Sequence, residues 1–279
     1  MNLSFTKMHG CGNDFVVINA LGTLKDWRPT AQQASFLLDR HFGVGGDQLL
    51  VLYPSGAADA RMAIFNADGS EVEMCGNGIR CCALYLHRRG IVTRSAQAIE
   101  TPAGIIRPVI EGDRVRVNMG PPRLDAADIP VTGFTGRVID ALLPGVASAY
   151  PLPAMTCVSM GNPHAVFFVD DVAAVPLAQI GPLVERHAAF PRRTNAEFAQ
   201  VVSRDRVRMR VWERGSGVTL ACGTGACGTV VAGIVSGRLD RAASVQLDGG
   251  ELHIAWPDEQ SPVWMTGPAA DVFDGAIAL

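Results

Sequence analysis

Runs of apolar and β-branched residues alternate with turn residues along most of the chain, in a pattern typical of short strands. The clearest predicted strands are 15–18, 114–118, 165–169 and 206–212. Four other segments have helical periodicity. Two amphipathic ones lie at 30–39 and 177–186, and two begin in glycine-rich stretches, at 76–89 and 223–236. Basic residues or a glycine end the latter two, as expected for helix C-termini. The mixture predicts an α+β fold.

The two glycine-rich helices belong to a repeat that runs through the whole chain. The pair Arg61-Met62 precedes Cys75 by the same distance as Arg208-Met209 precedes Cys222. Other segments recur in the same order, namely Gly12-Asn13 with Gly161-Asn162, Asn66 with Glu213, and Met119-Gly120-Pro121 with Thr266-Gly267-Pro268. Self-similarity of this kind indicates a duplicated domain. We therefore predict domains at 1–121 and 122–267.

Composition narrows the class of protein. The chain of 279 residues is 48% hydrophobic and 18% charged, with a net charge of −3, which suits a soluble globular protein. The charges are interspersed, so neither nucleic acid nor a membrane surface is an expected partner. The stretch 215–237 lacks charge and is long enough to span a bilayer, but its glycines favour a buried helix. With no secretory pattern at the N-terminus, we expect a cytoplasmic protein.

Seven cysteines in such a chain do not suggest a disulfide framework, and no spacing typical of zinc ligands occurs. We predict no metal site. Four cysteines lie in apolar runs and are expected to be small buried hydrophobes: Cys81, Cys82, Cys157 and Cys227. Cys11 is interpreted in the same way, because its counterpart in the repeat is Met160.

Cys75 and Cys222 are different, since each stands immediately before a predicted helix and is followed by glycines. Amides at a helix N-terminus can hold an anion, and the helix dipole is expected to lower the pKa of a thiol there. A thiolate paired with a thiol supplies the base and the acid that inversion of a stereocentre needs. The alternative, pyridoxal phosphate, requires a lysine. Only Lys7, predicted at a strand start, and Lys25, in a polar loop, are present, so we expect no cofactor.

At these residues the chain resembles the diaminopimelate epimerase family. The resemblance rests on the following segments: 12–15, 66–70, 74–81, 161–166, 194–198, 213–215 and 220–227. It implies a pyridoxal-independent, two-base interconversion of LL- and meso-diaminopimelate, in lysine and peptidoglycan precursor biosynthesis. It also implies two pseudo-symmetric domains, each a mixed, mostly antiparallel sheet or barrel around a central helix, with the active site in the cleft between them. The tail 268–279 would join the first domain, and the protein would be a homodimer.

Roles carry over residue by residue. Cys75 and Cys222 resemble the two bases, and His164 and Glu213 resemble groups that tune their pKa. The amides of Gly76-Asn77 and Gly223-Thr224 would hold the reacting carboxylate. The remaining substrate-binding set is Asn13, Gln48, Asn66, Asn162, Asn195, Glu213 and Arg214. Such a set suits a long zwitterion, because asparagine amides donate and accept while arginine can fork onto a distal carboxylate.

Three alternatives stay open. The nearest is a related two-cysteine racemase acting on proline, hydroxyproline or histidine, although such enzymes carry histidine where this chain has Asn77. The others are a thiol redox or metal-storage protein and a non-catalytic anion-binding module. The chain also departs from the family pattern at Trp212, at Gly217-Val218-Thr219 and at Gly228.

Overall fold

A computed structural model describes residues 1–72, 75–146 and 150–279. The chain divides into two compact units, which are Met1–Asn118 together with Thr266–Leu279, and Met119–Met265. The repeat predicts domain limits at 121 and 267, which lie a few residues from the limits of these two units. That the two domains arose by duplication remains a prediction.

The first unit contains two helices and a mixed sheet. Its elements are β1 (Asn2–Gly10), β2 (Asn13–Asn19), α1 (Ala31–Leu38), β3 (Gln48–Tyr53), β4 (Ala60–Asn66), β5 (Glu71–Val72), α2 (Gly76–Arg88), β6 (Ile99–Thr101), β7 (Gly104–Ile106), β8 (Val109–Glu111), β9 (Arg114–Asn118) and, from the end of the chain, β18 (Ala270–Ala278). The order in the sheet is β18-β1-β2-β3-β4-β6-β7, with β5 beside β4. The β2–β3 and β4–β6 pairs are parallel, and the other neighbouring pairs in this sheet are antiparallel.

One face of this sheet packs on α1 through a core that includes Leu3, Val16, Leu37 and Leu49. Helix α2 is buried along nearly its whole length, from Gly76 to Leu86. It is therefore an internal helix.

The second unit has the same kind of architecture. It contains β10 (Met155–Ser159), β11 (Pro163–Phe168), α3 (Leu177–Glu185), β12 (Asn195–Ser203), β13 (Arg206–Glu213), β14 (Gly217–Thr219), α4 (Gly223–Val235), β15 (Ala242–Leu247), β16 (Gly250–Ala255) and the start of β17 (Trp264–Pro268). The order is β10-β11-β12-β13-β15-β16-β17, with β14 beside β13. The β11–β12 and β13–β15 pairs are parallel. Helix α4 has the 13-residue length of α2 and is likewise largely buried.

The sequence-based expectations for the elements are largely confirmed. The α+β class with mixed sheets holds, and the four helices of the described residues match the predicted segments to within one or two residues at each end. The uncharged stretch 215–237 is a turn, a short strand and the buried helix α4, and no helix among the described residues is long and apolar enough to cross a membrane.

One local expectation was wrong. Lys7 lies inside β1 and not at the start of a strand. Its ammonium is buried, and donates to the Asp14 carboxylate at 2.6 Å and to the carbonyl oxygen of Gly45. An ammonium in the middle of a strand is tolerated here because it is paired and hydrogen-bonded.

Candidate active site

In the first unit, Cys75 is the N-cap residue of α2. Its backbone is extended, with φ −140° and ψ 113°, and its sulfur accepts a hydrogen bond from the Gly78 amide at 3.4 Å. The N-cap position is usually filled by an oxygen-bearing side chain that accepts from the same amide. The Cys75 sulfur takes that role, so it is fixed directly beside the amides of the first helical turn.

The amide of Asn13 is oriented by a carboxylate. Its Nδ2 donates to Asp47 at 2.8 Å, and this leaves its Oδ1 facing Asn77 Nδ2, at 3.1 Å, and the Cys75 sulfur, at 3.9 Å. The oxygen of Asn13 can therefore accept the hydrogen of the Cys75 thiol. Asp47 was not among the residues predicted from the sequence.

Asp47 belongs to a small charged cluster with Lys7, Asp14 and Arg40. The Arg40 guanidinium contacts both carboxylates, Asp14 at 2.7 Å and Asp47 at 2.8 Å. Burial alone would raise the pKa of Asp14, but hydrogen bonds from Arg40 and Lys7 prevail and hold that pKa well below its usual range. The Asp14 side chain is therefore ionised at neutral pH, and Arg40, which contacts both carboxylates, holds Asp47 beside Asn13.

Gln48 and Asn66 are neighbours on β3 and β4, where they form a directly opposed pair. Gln48 Nε2 donates to Asn66 Oδ1 at 3.0 Å, and Asn66 Nδ2 donates to the Ser70 hydroxyl at 3.1 Å. Both side chains are half-buried. Among the described contacts, this pair has no direct hydrogen bond to Cys75.

In the second unit, Cys222 repeats the geometry of Cys75. It is the N-cap of α4, with φ −120° and ψ 110°, and its sulfur accepts from the Gly225 amide at 3.3 Å. The Thr224 hydroxyl lies 3.5 Å from the same sulfur. The two cysteines thus have matching caps in two separate units, as the repeat predicts.

The expected lowering of the thiol pKa is wrong for Cys222. Burial raises the pKa of the Cys222 thiol well above its usual value, and the carboxyl groups of Glu213 and Glu197 raise it further. The hydrogen bonds from Thr224 and Gly225 lower it, but by less. Cys222 therefore rests as a thiol.

Glu213 lies against that thiol. Burial raises the pKa of Glu213, while hydrogen bonds from the Thr219 hydroxyl and from Cys222 act in the opposite direction. A buried carboxyl with a raised pKa beside a thiol can accept the thiol's proton, so this pair can supply a thiolate when a substrate demands one.

His164 is completely buried, and both of its ring nitrogens face oxygen atoms. Nδ1 lies 2.7 Å from Glu197 Oε1, and Nε2 lies 3.0 Å from Asn162 Oδ1. Asn162 Nδ2 in turn donates to the Thr224 hydroxyl at 3.3 Å. A continuous series of polar contacts therefore runs from Glu197 to the Cys222 sulfur.

Gly228, a departure from the family pattern, lies close to the side chain of His164. A Cβ on Gly228 would lie 3.3 Å from both Cβ and Cγ of His164. The helix therefore packs unusually close to the imidazole.

Asn195 and Arg214 are joined through the backbone. Asn195 Nδ2 donates to the Pro163 carbonyl at 2.9 Å, and Asn195 Oδ1 accepts from the Arg214 amide at 2.8 Å. The Arg214 side chain is exposed and donates to the Arg192 carbonyl at 3.1 Å. A planar guanidinium has five N–H donors, so Arg214 can still bind a carboxylate in this position.

Trp212, another departure from the family pattern, is accommodated by a carboxylate and by a glycine. Its indole Nε1 donates to Glu185 Oε2 at 2.8 Å, and a Cβ on Gly181 would lie 2.3 Å from its ring. Glu185 also accepts from the Gly215 amide at 3.0 Å, so it ties α3 to the turn that follows Glu213.

Within each unit the structure thus brings most of the predicted residues into one connected set. Sequence reasoning missed Asp47 and Glu197. Glu197 did carry a signal, because a charged residue between Ala196 and Phe198 in a continuously apolar strand must have a buried partner. Asp47 lies in a polar turn, where nothing distinguishes it from a solvated aspartate. Among the described residues, no group of three or more histidine, cysteine, aspartate or glutamate side chains could hold a metal ion.

Solved structures with this fold define its class. A PhzF-family phenazine biosynthesis protein of Bacillus anthracis superposes with a TM-score of 0.73 at 16% identity, covering 100% of both chains. A hydroxyproline epimerase from Agrobacterium vitis superposes with a TM-score of 0.70 at 17% identity, covering 99% of this chain and 91% of that one. The chain therefore has the two-unit α+β fold that these proteins share.

Sequence comparison then identifies the family. The model of diaminopimelate epimerase matches residues 5–124 and 156–272. The diaminopimelate epimerase of Desulforudis audaxviator is 52% identical over 277 residues, covering 98% of each chain. That of Heliobacterium modesticaldum is 49% identical over 288 residues, covering 99% of this chain and 100% of that one. The chain belongs to the diaminopimelate epimerase family, a family of isomerases.

Proposed function

We propose that the protein interconverts LL- and meso-diaminopimelate by proton transfer at one α-carbon, without pyridoxal phosphate. The observation that carries this proposal is the matched pair of cysteine N-caps. Cys75 and Cys222 each accept a hydrogen bond from the third amide of a buried helix, at 3.4 and 3.3 Å. Family membership at about half identity supports the choice of substrate.

In the proposed reaction one cysteine is a thiolate and the other a thiol. The thiolate takes the α-hydrogen as a proton, so an S–H bond forms as the C–H bond breaks. The thiol delivers its proton to the opposite face of the same carbon, so a C–H bond forms as the second S–H bond breaks. Base and acid have then exchanged roles, and the next turnover runs in the other direction.

The helix N-termini supply the electrostatics. The amides of Gly76-Asn77 and Gly223-Thr224 point from first helical turns, where the macrodipole favours an anion. A carboxylate held there is stabilised further when negative charge builds up on the α-carbon. No lysine is required.

Glu213 and His164 have supporting roles in this proposal. Cys222 rests as a thiol, since burial and nearby carboxyl groups raise its pKa. Glu213, hydrogen-bonded to Cys222, accepts the thiol's proton when Cys222 has to act as the base. His164 tunes the same thiol through Asn162 and Thr224.

The remaining polar side chains bind the rest of a long zwitterion. We assign substrate binding to Asn13, Gln48, Asn66, Asn162, Asn195, Glu213 and Arg214. The exposed guanidinium of Arg214 takes the distal carboxylate, which proline, hydroxyproline and histidine lack.

Deuterium exchange tests the proposal. The purified protein, without added cofactor, should incorporate deuterium from D₂O at an α-carbon of LL-diaminopimelate and yield the meso isomer, observed by proton NMR. Cys75→Ala and Cys222→Ala should abolish conversion, while Cys82→Ala and Cys157→Ala, at buried cysteines of each unit, should keep it. Exchange on proline, hydroxyproline or histidine but not on diaminopimelate would move the assignment to the related racemases.

The pathway, the cellular location and the oligomeric state are also proposals. The enzyme would act in lysine and peptidoglycan precursor biosynthesis, in the cytoplasm, as a homodimer of chains whose duplicated domains are 1–121 with 268–279 and 122–267. Analytical ultracentrifugation would test the homodimer, since a single species at the 29.6 kDa mass of one chain would refute it.

A further inference from the structure

Glu197 is a carboxylate in a place where a carboxylate is costly. It lies on β12 between Ala196 and Phe198, and its side chain is 0% exposed. One oxygen, Oε1, is 2.7 Å from His164 Nδ1, whereas the other, Oε2, has no hydrogen-bond partner among the described residues. An ionised carboxylate persists in such surroundings only beside a cation, and the imidazole of His164 is the contact that can supply one.

The contacts of His164 agree with a charged ring. Its Nε2 lies 3.0 Å from Asn162 Oδ1, while Asn162 Nδ2 is directed at the Thr224 hydroxyl. Both ring nitrogens therefore face acceptor oxygens, an arrangement in which both carry hydrogen. Glu197 and Asn162 therefore hold the two ring nitrogens of His164 through their side-chain oxygens.

The other elements packed on His164 supply few competing charges. Glu213, on β13, is near enough to interact with His164 electrostatically. On β10 the residue opposite His164 is Val158, and on α4 the neighbour is Gly228. Glu197 is the group in direct contact with Nδ1.

Glycines in α4 hold the carboxylate and the ring in place. A Cβ on Gly225 would lie 2.8 Å from Glu197 Oε1 and 3.2 Å from the Cys222 sulfur. Glu197 thus fits between the imidazole and the first turn of the helix that Cys222 caps, with no space for a second arrangement.

We propose that Glu197 is a positioning residue, whose carboxylate keeps His164 doubly protonated and thereby fixes the hydrogen bond from Asn162 to the Thr224 hydroxyl, which in turn contacts the Cys222 sulfur. This inference rests on the proposed function for its kinetic consequence. It adds a residue that never touches substrate, since Glu197 lies behind His164 and has no exposed surface.

The test is Glu197→Gln, which keeps the size of the side chain and removes its charge. The parent and the variant are labelled with ¹⁵N-histidine, and the His164 signals are assigned by their loss in His164→Asn. At pH 8 the parent should have both ring nitrogens protonated, and the variant should have one bare nitrogen. With diaminopimelate, kcat should fall on the order of 10- to 100-fold while KM stays within about threefold.

The alkylation rate of each cysteine, measured separately, tests whether the substitution changes the reactivity of the Cys222 thiol. Iodoacetamide should modify Cys222 at a rate changed about threefold or more in the variant, while the rate at Cys75 is unchanged. Glu259→Gln removes an exposed carboxylate, paired with Arg137 at 2.7 Å, from the same unit and should match the parent in every readout. Glu197→Asp, which keeps the charge, should regain part of kcat.

A parent His164 with one bare ring nitrogen at pH 8 would overturn the inference, and so would a Gln variant with unchanged kcat and unchanged alkylation. The parent measurement remains decisive even if Glu197→Gln does not fold. If the parent turns over no amino acid, the proposed function fails, while the nitrogen and alkylation readouts still decide the role of Glu197.

Discussion

The third residue of each capped helix is a glycine, and replacing it with alanine should be more costly in the second unit than in the first. At Gly225 a Cβ would lie 2.8 Å from Glu197 Oε1 and 3.2 Å from both Cβ and Sγ of Cys222. At Gly78, the matching position in α2, it would lie 3.3 Å from a Leu50 methyl and 3.5 Å from Cys75 Cβ. An alanine at position 225 would therefore overpack the site, whereas an alanine at position 78 would only come into close contact with its neighbours.

The magnitudes follow from these distances. At 2.8 Å the new methyl overlaps the carboxylate, which cannot retreat without lengthening its 2.7 Å contact with His164. Overpacking in a core costs about 1–3 kcal/mol, and alanine regains at most about 1 kcal/mol of helix propensity. Gly225→Ala should therefore lose up to about 2 kcal/mol of unfolding free energy, and Gly78→Ala should stay within about 1 kcal/mol of the parent.

Urea unfolding and the deuterium-exchange assay measure both consequences. Gly225→Ala should also lose activity out of proportion to its stability, because the Glu197–His164 contact and the Cys222 cap are displaced together. If Gly225→Ala unfolds at the same urea concentration as the parent and keeps full kcat, the steric reasoning is wrong. Equal losses in the two glycine variants would show that lost backbone freedom, and not the carboxylate, sets the cost.

Three further substitutions test the electrostatics and packing. Burial raises the pKa of Glu213 in the folded protein, so keeping this carboxyl folded costs stability once the pH exceeds its unfolded-state pKa of ~4.3. In urea unfolding between about pH 4 and 8, Glu213→Gln should therefore be more stable than the parent, while it should lose exchange activity. The pKa of Asp14 is lowered in the folded protein, so its ionised form contributes stability above its unfolded-state pKa of ~3.9, and this contribution is lost in acid. Asp14→Asn should cost about 2 kcal/mol of unfolding free energy at pH 7, because it removes the carboxylate paired with Lys7, and the difference from the parent should narrow below about pH 4. Gly181→Ala, whose Cβ would lie 2.3 Å from the Trp212 ring, should lower stability by about 1–3 kcal/mol in a thermal melt, and an unchanged melting temperature would contradict that packing.

Much of this fold could be predicted because its local signals agree with one another. Thr30 predicts the start of α1, and the structure shows it as an N-cap that accepts from the Gln33 amide, with Gln33 returning a bond. The cysteines before α2 and α4 were expected at helix starts because the glycines that follow them recur in both halves. Repetition made the site visible, since either cysteine alone would be interpreted as a packing residue.

The parts that could not be predicted depend on burial and on long-range partners. The thiol pKa of Cys222 was expected to fall, because the helix dipole is a local property that the sequence reveals. Its rise comes from desolvation and from Glu213 and Glu197, which arrive from other strands. In the same way, Lys7 was placed at a strand start because its partners, Asp14 and the Gly45 carbonyl, are invisible in the local pattern.

The two halves of the predicted repeat do not have identical cysteine environments. In the first unit a carboxylate, Asp47, holds the NH₂ group of Asn13, so the amide oxygen is turned toward Cys75. In the second unit His164 holds the oxygen of Asn162, so the NH₂ group is turned toward Thr224 and Cys222. An amide oxygen can accept the hydrogen of a thiol, whereas the amide NH₂ group of Asn162 donates to the Thr224 hydroxyl beside the Cys222 sulfur. Asn13 and Asn162, turned by different neighbours, thus give the two sulfurs different hydrogen-bonding surroundings, although in the proposed reaction each cysteine is acid and base in turn.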